Sequence, residues 1–260
     1  MTPAVTDTLA LSSPRWPSAE GDGRVVELLR QGTLTLAGLL PWSSNYTFLG
    51  QVTAGQASVP VVYKPSRGER PLWDFPAGTL AGREVAAYVI SAALGWHLAP
   101  PTVLRKGPHG RGSVQLFVDV NQDAHFFTFR DDPLYRRSLQ ALALFDVIAN
   151  NADRKGGHCL AAADGGVVAI DQGLCFHVEP KLRTVIWDFA GDPIPPDLAA
   201  DLRRLAADLT AADSVTMTQL AALLAPAEIA ALQTRLAALL AQGCFPDPPE
   251  DRRPYPWPLV

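Results

Sequence analysis

The apolar residues of this chain change period part-way along it, and no other feature constrains the fold as much. Between residues 33 and 118 the pattern is mostly short alternating or β-branched runs. They fall at 33–40, 46–53, 58–63, 102–104 and 113–118, with a turn at Ala54-Gly55-Gln56 between the second and third. One helical run interrupts them at 80–94, where Val85, Val89, Ala92 and Ala93 recur at helical spacing and Gly95 stops the run. A shorter helix is expected at 25–30, ended by Gly32, and residues 65–78 read as a loop. From residue 133 onward the period is helical: 133–148, 197–209, 214–224, and 226–241 with Pro226 at its first position. Only 159–162 and 167–170 break that half, as a hairpin around Ala163-Asp164-Gly165-Gly166. A β-rich unit followed by a mainly helical one predicts an α+β fold of two lobes. The expected division is a frayed start at 1–23, a first lobe at 24–118, a second at 119–242, and an extended tail at 243–260 that holds six prolines.

Composition narrows the function classes. The formal net charge is −4, a poor match for phosphate backbones, so no nucleic-acid partner is expected. Cys159, Cys175 and Cys244 lack C-x-x-C spacing, which supports neither a zinc site nor a disulfide framework. The first residues lack a basic stretch followed by an apolar one, and no run of about 18 uncharged apolar residues occurs. A cytoplasmic chain with reduced thiols is expected. Arginine outnumbers lysine 18 to 4, so each lysine draws notice.

Two acidic motifs follow the long helix at 133–148. One is the polar loop Asn150-Asn151-Ala152-Asp153-Arg154-Lys155-Gly156-Gly157-His158; the other is Asp171-Gln172-Gly173 after a short apolar strand. Phosphoryl transfer uses one carboxylate to orient the acceptor hydroxyl, a second to hold a divalent cation, and a lysine paired with a helix glutamate to contact phosphate. Asp153, Asp171, Lys64 and Glu84 stand in that order. Each alone has a plainer reading, as a helix cap, a turn residue or a solvated lysine; the series carries the weight.

Asp146-Val147-Ile148-Ala149-Asn150-Asn151-Ala152-Asp153-Arg154 together with Ile170-Asp171-Gln172-Gly173 resembles the catalytic and metal motifs of the phosphatidylinositol 3-/4-kinase superfamily, type II phosphatidylinositol 4-kinases in particular. Glu84-Val85-Ala86-Ala87-Tyr88, Pro100-Pro101-Thr102 and Gly112 through Asp119 are similar to that superfamily's helix, following strand and interlobe hinge. The likeness runs from about Ser43 to Asp192, and small bacterial members resemble the chain most. It implies a two-lobed protein-kinase-like fold and a kinase that transfers the ATP γ-phosphate to a hydroxyl. Asp153 would be catalytic. Lys64, Glu84, Ser43, Ser44, Asn45, Gln115 and Val118 would contact nucleotide, with the hinge at 115–118. Asp171 would hold Mg²⁺ or Mn²⁺. The superfamily's usual Asn, five residues after the catalytic Asp, is His158 here. That leaves three readings open: Mg²⁺ held by Asp171 alone, Mn²⁺ held with His158, or a pseudokinase that binds nucleotide as a scaffold. The acceptor, whether lipid, protein or small molecule, is not specified, and contact with a membrane surface remains open.

Overall fold

The computed structural model describes residues 19–40, 46–121, 123–162 and 166–260. The first lobe is a five-stranded antiparallel sheet built from β1 (Thr33–Leu39), β2 (Phe48–Ala54), β3 (Ala57–Pro65), β4 (Thr102–Gly107) and β5 (Gly110–Leu116). Its spatial order is β1-β2-β3-β5-β4, so β3 lies in the middle. The sheet packs its own core of Val52, Val61, Tyr63, Val103, Val114 and Leu116 beneath α1 (Ala19–Gln31).

α1 starts at Ala19, inside the span expected to be frayed, and outruns the helix expected at 25–30. At its other end Arg105 Nη1 of β4 donates to Leu29 O at 2.7 Å and Gly32 O at 2.8 Å, satisfying carbonyls that the helix leaves open.

α2 (Leu80–Leu94) has the expected bounds, and Gly95 closes it in the left-handed conformation at φ 73°. The expected one-sided burial is not what the fold uses. Residues from Leu80 through Ala87 are all buried, because α2 is covered by the sheet on one side and by helices of the second lobe on the other. Small side chains such as Ala81, Gly82, Ala86 and Ala87 allow that double packing.

The second lobe comprises α3 (Phe126–Phe129), α4 (Arg136–Ala149), a hairpin of β6 (Cys159–Ala161) and β7 (Val167–Ala169), then α5 (Pro196–Asp208), α6 (Val215–Ala221) and α7 (Pro226–Gln242). Leu142, Phe145, Ile148, Phe176, Leu202 and Leu232 centre its core. α6 falls short of the expected 214–224, because residues beyond Ala221 enter a turn before Pro226. The Pro-rich tail is extended but packed: Phe245 is buried, Pro254 O accepts from Thr184 N, and Leu259 O accepts from Gly156 N. No helix among the described residues is long and apolar enough to cross a membrane.

Candidate active site

Lys64 sits near the end of the middle strand, where β2 and β5 pair with β3 on either side. The fit there is close: a Cβ on Gly112 would stand 2.3 Å from Lys64 O, so position 112 has no room for a side chain. Lys64 Nζ lies 2.5 Å from Glu84 Oε1 and 2.9 Å from Asp171 Oδ1. Burial works against the charge on Lys64, but Asp171 and Glu84 outweigh it and hold the amine above its ordinary pKa. Glu84 is only 2% exposed, and its other oxygen accepts from Ser113 Oγ at 2.8 Å. A buried carboxylate needs such donors.

Its neighbour Arg83 is equally buried. It donates to Cys175 O at 2.6 Å and pairs with Glu228 of α7. That clamp fixes α2 against both the second lobe and the segment after Asp171. Sequence reasoning missed Ser113, Arg83 and Glu228, whose contacts span 29 to 145 positions.

The loop after α4 is set by one buried cation. Asn150 ends the helix in the left-handed region at φ 53°, a conformation asparagine tolerates. Arg154, with no exposed surface, places Nε and Nη2 at 3.0 Å from Asp146 carboxylate oxygens. Asp146 also accepts from Asn151 Nδ2 at 3.0 Å and Thr184 Oγ1 at 3.2 Å. Arg154 donates onward to Gln172 Oε1 at 2.6 Å and Ile170 O at 3.1 Å, the two residues flanking Asp171. A single guanidinium therefore ties α4, the loop and the Asp171 turn together.

Between these anchors Asp153 faces open space, with Oδ2 3.3 Å from Lys155 Nζ. Burial pushes its carboxyl above the ordinary aspartate value, and Lys155 pulls the other way.

Asp171 has φ 58°, a strained conformation for a non-glycine residue that the surrounding bonds sustain. Lys64 holds its carboxyl well below the usual range. His158 Nε2 stands 3.7 Å from Asp171 Oδ2. His158 Nδ1 lies 3.1 Å from Asp153 O, which can only accept, so Nδ1 carries the proton. Burial lowers the imidazole pKa to about 4, so Nε2 offers a lone pair at neutral pH. A carboxylate and an imidazole nitrogen facing one space form a donor pair that fits a divalent ion, Mn²⁺ better than Mg²⁺. No group of three or more His, Cys, Asp or Glu among the described residues could hold a metal. Phosphate oxygens and water would complete such a shell, as is usual where phosphates are bound.

Two cavities meet at Lys64 and Asp171. One, of about 340 Å³, is lined by Val62, Leu116, Val118, Leu160 and Val168, together with Lys155 and His158. Gln115 is part of its wall, but its amide is used within the sheet, donating to Thr102 Oγ1 at 2.9 Å. The other, of about 240 Å³, opens on the far side and contains Asp153 and Glu84. Of the residues singled out in the sequence, Glu84 and Asp153 line the smaller cavity, His158 and Val118 the larger, and Lys64 and Asp171 both. Ser43, Ser44 and Asn45 lie outside the described residues.

No family model matches the chain. Protein Rv2133c of Mycobacterium tuberculosis (strain ATCC 25618 / H37Rv) is 43% identical over 264 residues, spanning 89% of this chain and 94% of that protein. The chain belongs to the Rv2133c family. Phosphatidylinositol 4-kinase gamma 4 of Oryza sativa subsp. japonica is 32% identical over 153 residues, 50% of this chain but 27% of that protein. Among solved structures, the Golgi casein kinase with Mn/ADP bound has a TM-score of 0.58 at 15% identity, covering 94% of this chain and 82% of that one. Hydra Fam20 with sugar has a TM-score of 0.54 at 15% identity, covering 92% and 93%. At that identity the likeness speaks to architecture, and this Rv2133c relative has a kinase-like α+β fold.

Proposed function

We propose that this Rv2133c-family protein is an ATP-dependent phosphotransferase with a site of the phosphatidylinositol 3-/4-kinase type. The observation that carries the reading is the Lys64–Glu84–Asp171 ion network at the junction of two cavities, with Asp153 on one side and the hinge on the other. Adenine fits the apolar hinge cavity beside Val118. Lys64 contacts phosphate while Glu84 holds its amine in place. Asp171 and His158 would hold the divalent ion, which supplies charge neutralisation to the phosphates when bound. Asp153 takes the proton from an acceptor hydroxyl as its oxygen bonds to the γ-phosphorus. The bond from that phosphorus to the bridging oxygen breaks, and ADP leaves. Lys155 opposes the effect of burial and favours the ionised form of the Asp153 carboxylate. The motif resemblance and the partial rice match support the lipid-kinase relationship.

Thermal unfolding with ATP and either Mn²⁺ or Mg²⁺ tests the reading. A ligand at 100 times its Kd adds about 2.7 kcal/mol to the native state. Asp171→Asn should lose the metal-dependent part of that gain while folding normally. Equal stabilisation of wild type and Asp171→Asn would remove the metal assignment. Stabilisation without ADP formation would favour a nucleotide-binding scaffold instead.

A further inference from the structure

The loop that carries Asp153 and His158 is held by two separate devices. One is Arg154, which ties it to Asp146 and to the residues flanking Asp171. The other is the Pro-rich tail. Lys155 and His158 both line the larger cavity, and the two residues between them are Gly156 and Gly157. Two glycines offer no side-chain anchor and the freest backbone available. Gly156 N donates to Leu259 O at 2.7 Å, satisfying a donor at the start of the short turn Gly156–His158. The approach requires glycine: a Cβ at 156 would stand 2.6 Å from the Phe127 ring and 3.3 Å from Leu259 O. A Cβ at 157 would stand 3.6 Å from Val260 Cγ1.

The same tail is fastened to the segment that pairs with the loop. Pro254 O accepts from Thr184 N at 3.0 Å and from Trp187 Nε1 at 3.3 Å. Thr184 Oγ1 donates to Asp146 Oδ2, and its neighbours pair with Arg154: Arg154 N donates to Arg183 O at 3.0 Å, and Val185 N to Arg154 O at 3.1 Å. Residues 254–259 therefore bridge the 184–187 segment to the Gly156 turn. Tyr255 and Leu259 share a cavity of about 300 Å³ with Phe127, Val185 and Trp187. Tyr255, Trp257 and Leu259 are exposed, so little apolar burial holds the bridge. A segment held this lightly can open locally while the core of its lobe stays folded.

We propose that residues 254–259 form a positioning strap for the site. Through Pro254 and Leu259 the strap holds the Gly156–His158 turn so that His158 Nε2 faces Asp171. Its release would weaken the grip on the divalent ion and leave the grip on adenine unchanged. The strap's role rests on the phosphotransferase reading. His158 Nε2 stands 3.7 Å from Asp171 Oδ2, and the glycine pair before His158 would not fix that spacing unaided. Groups that orient a metal ligand from behind typically matter about 10–100-fold in metal affinity. The adenine-side residues Leu116 and Val118 belong to the first lobe, and the strap packs on the second.

The test uses the full chain and reads metal and nucleotide separately. Tyr255→Ser combined with Leu259→Ser removes the strap's apolar contacts at two exposed positions, so the fold should persist. Amide hydrogen exchange at Gly156 should be faster in this variant, reporting release. Mn²⁺ affinity in the presence of saturating ADP, read by the EPR signal of the free ion, should fall at least about fivefold, the low end of ordinary coupling between sites. ADP affinity without metal, read by calorimetry, should be unchanged. Coupling is reciprocal, so in the wild type Mn²⁺ with ADP should slow exchange at both Gly156 and Thr184 relative to ADP alone. Unaltered Mn²⁺ affinity in the variant, or unaltered exchange at Gly156, would overturn the proposal. So would an equal loss of ADP affinity, which marks general damage, or exchange in the wild type that is indifferent to Mn²⁺. A wild type that binds no ADP with or without Mn²⁺ would instead strike the phosphotransferase reading itself.

Discussion

Removing the Asp146 carboxylate should be among the most damaging single changes in this chain. Asp146→Ala leaves Arg154 fully buried with its charge uncompensated, and breaking one partner of a buried ion pair costs about 3–5 kcal/mol. The same truncation removes the acceptor for Asn151 Nδ2 and Thr184 Oγ1, which argues for the upper half of that range. At about 4 kcal/mol, a chain of this size should melt roughly 8–16 °C lower. Differential scanning calorimetry reads that shift, and urea unfolding gives the free energy. The structure also dictates a coupling. In the double variant Asp146→Leu with Arg154→Met both charges go, so its cost should fall at least about 1 kcal/mol below the sum of the singles. It should not reach zero, because Asn151, Thr184 and Gln172 still lose their partners. An Asp146→Ala cost below about 1 kcal/mol, or a double variant equal to the sum of the singles, would refute the view that this pair anchors the loop.

Other outcomes follow from the same contacts. Lys64→Met should cut turnover by about a hundredfold or more, since its charge acts on phosphate in the transition state; steady-state ADP release checks this. Because burial raises the Asp153 carboxyl, kcat/KM should fall on acidification at a pH above the ordinary aspartate value of about 3.9. Lys155→Met removes the cation that opposes the rise, so the acid limb of a pH–rate profile should move to still higher pH. His158→Asn should shift metal preference from Mn²⁺ toward Mg²⁺, read by calorimetric titration of each ion with ADP present.

Local features were legible in the sequence. The bounds of α2 follow from its apolar spacing and Gly95, and the hairpin before Asp171 from short β-branched runs around a turn. Lys64, Glu84, Asp153 and Asp171, singled out by their order and by the motif resemblance, line one cavity. The supports of that site were hidden, because they depend on distant pairings that leave no local pattern. Arg83 looks like any helix arginine until α7 brings Glu228 against it. Asp146 reads as one polar residue in an apolar run, yet it is the buried counter-ion of the loop. The C-terminal end of α1 is held by Arg105, 76 positions beyond Leu29. The tail's prolines announced an extended chain but not the surface it covers, which includes the backbone of Gly156 in the loop after α4.

The most direct test of the central claim is ADP formation from ATP and Mn²⁺ by the wild type and by Asp153→Asn at matched folding. Asp153→Asn keeps the size of the side chain and removes its capacity to accept a proton. The wild type should form ADP, Asp153→Asn should lose about a hundredfold or more of that rate, and nucleotide binding should be unchanged in both. Equal rates in the two proteins, or no ADP from the wild type under saturating nucleotide, would contradict it.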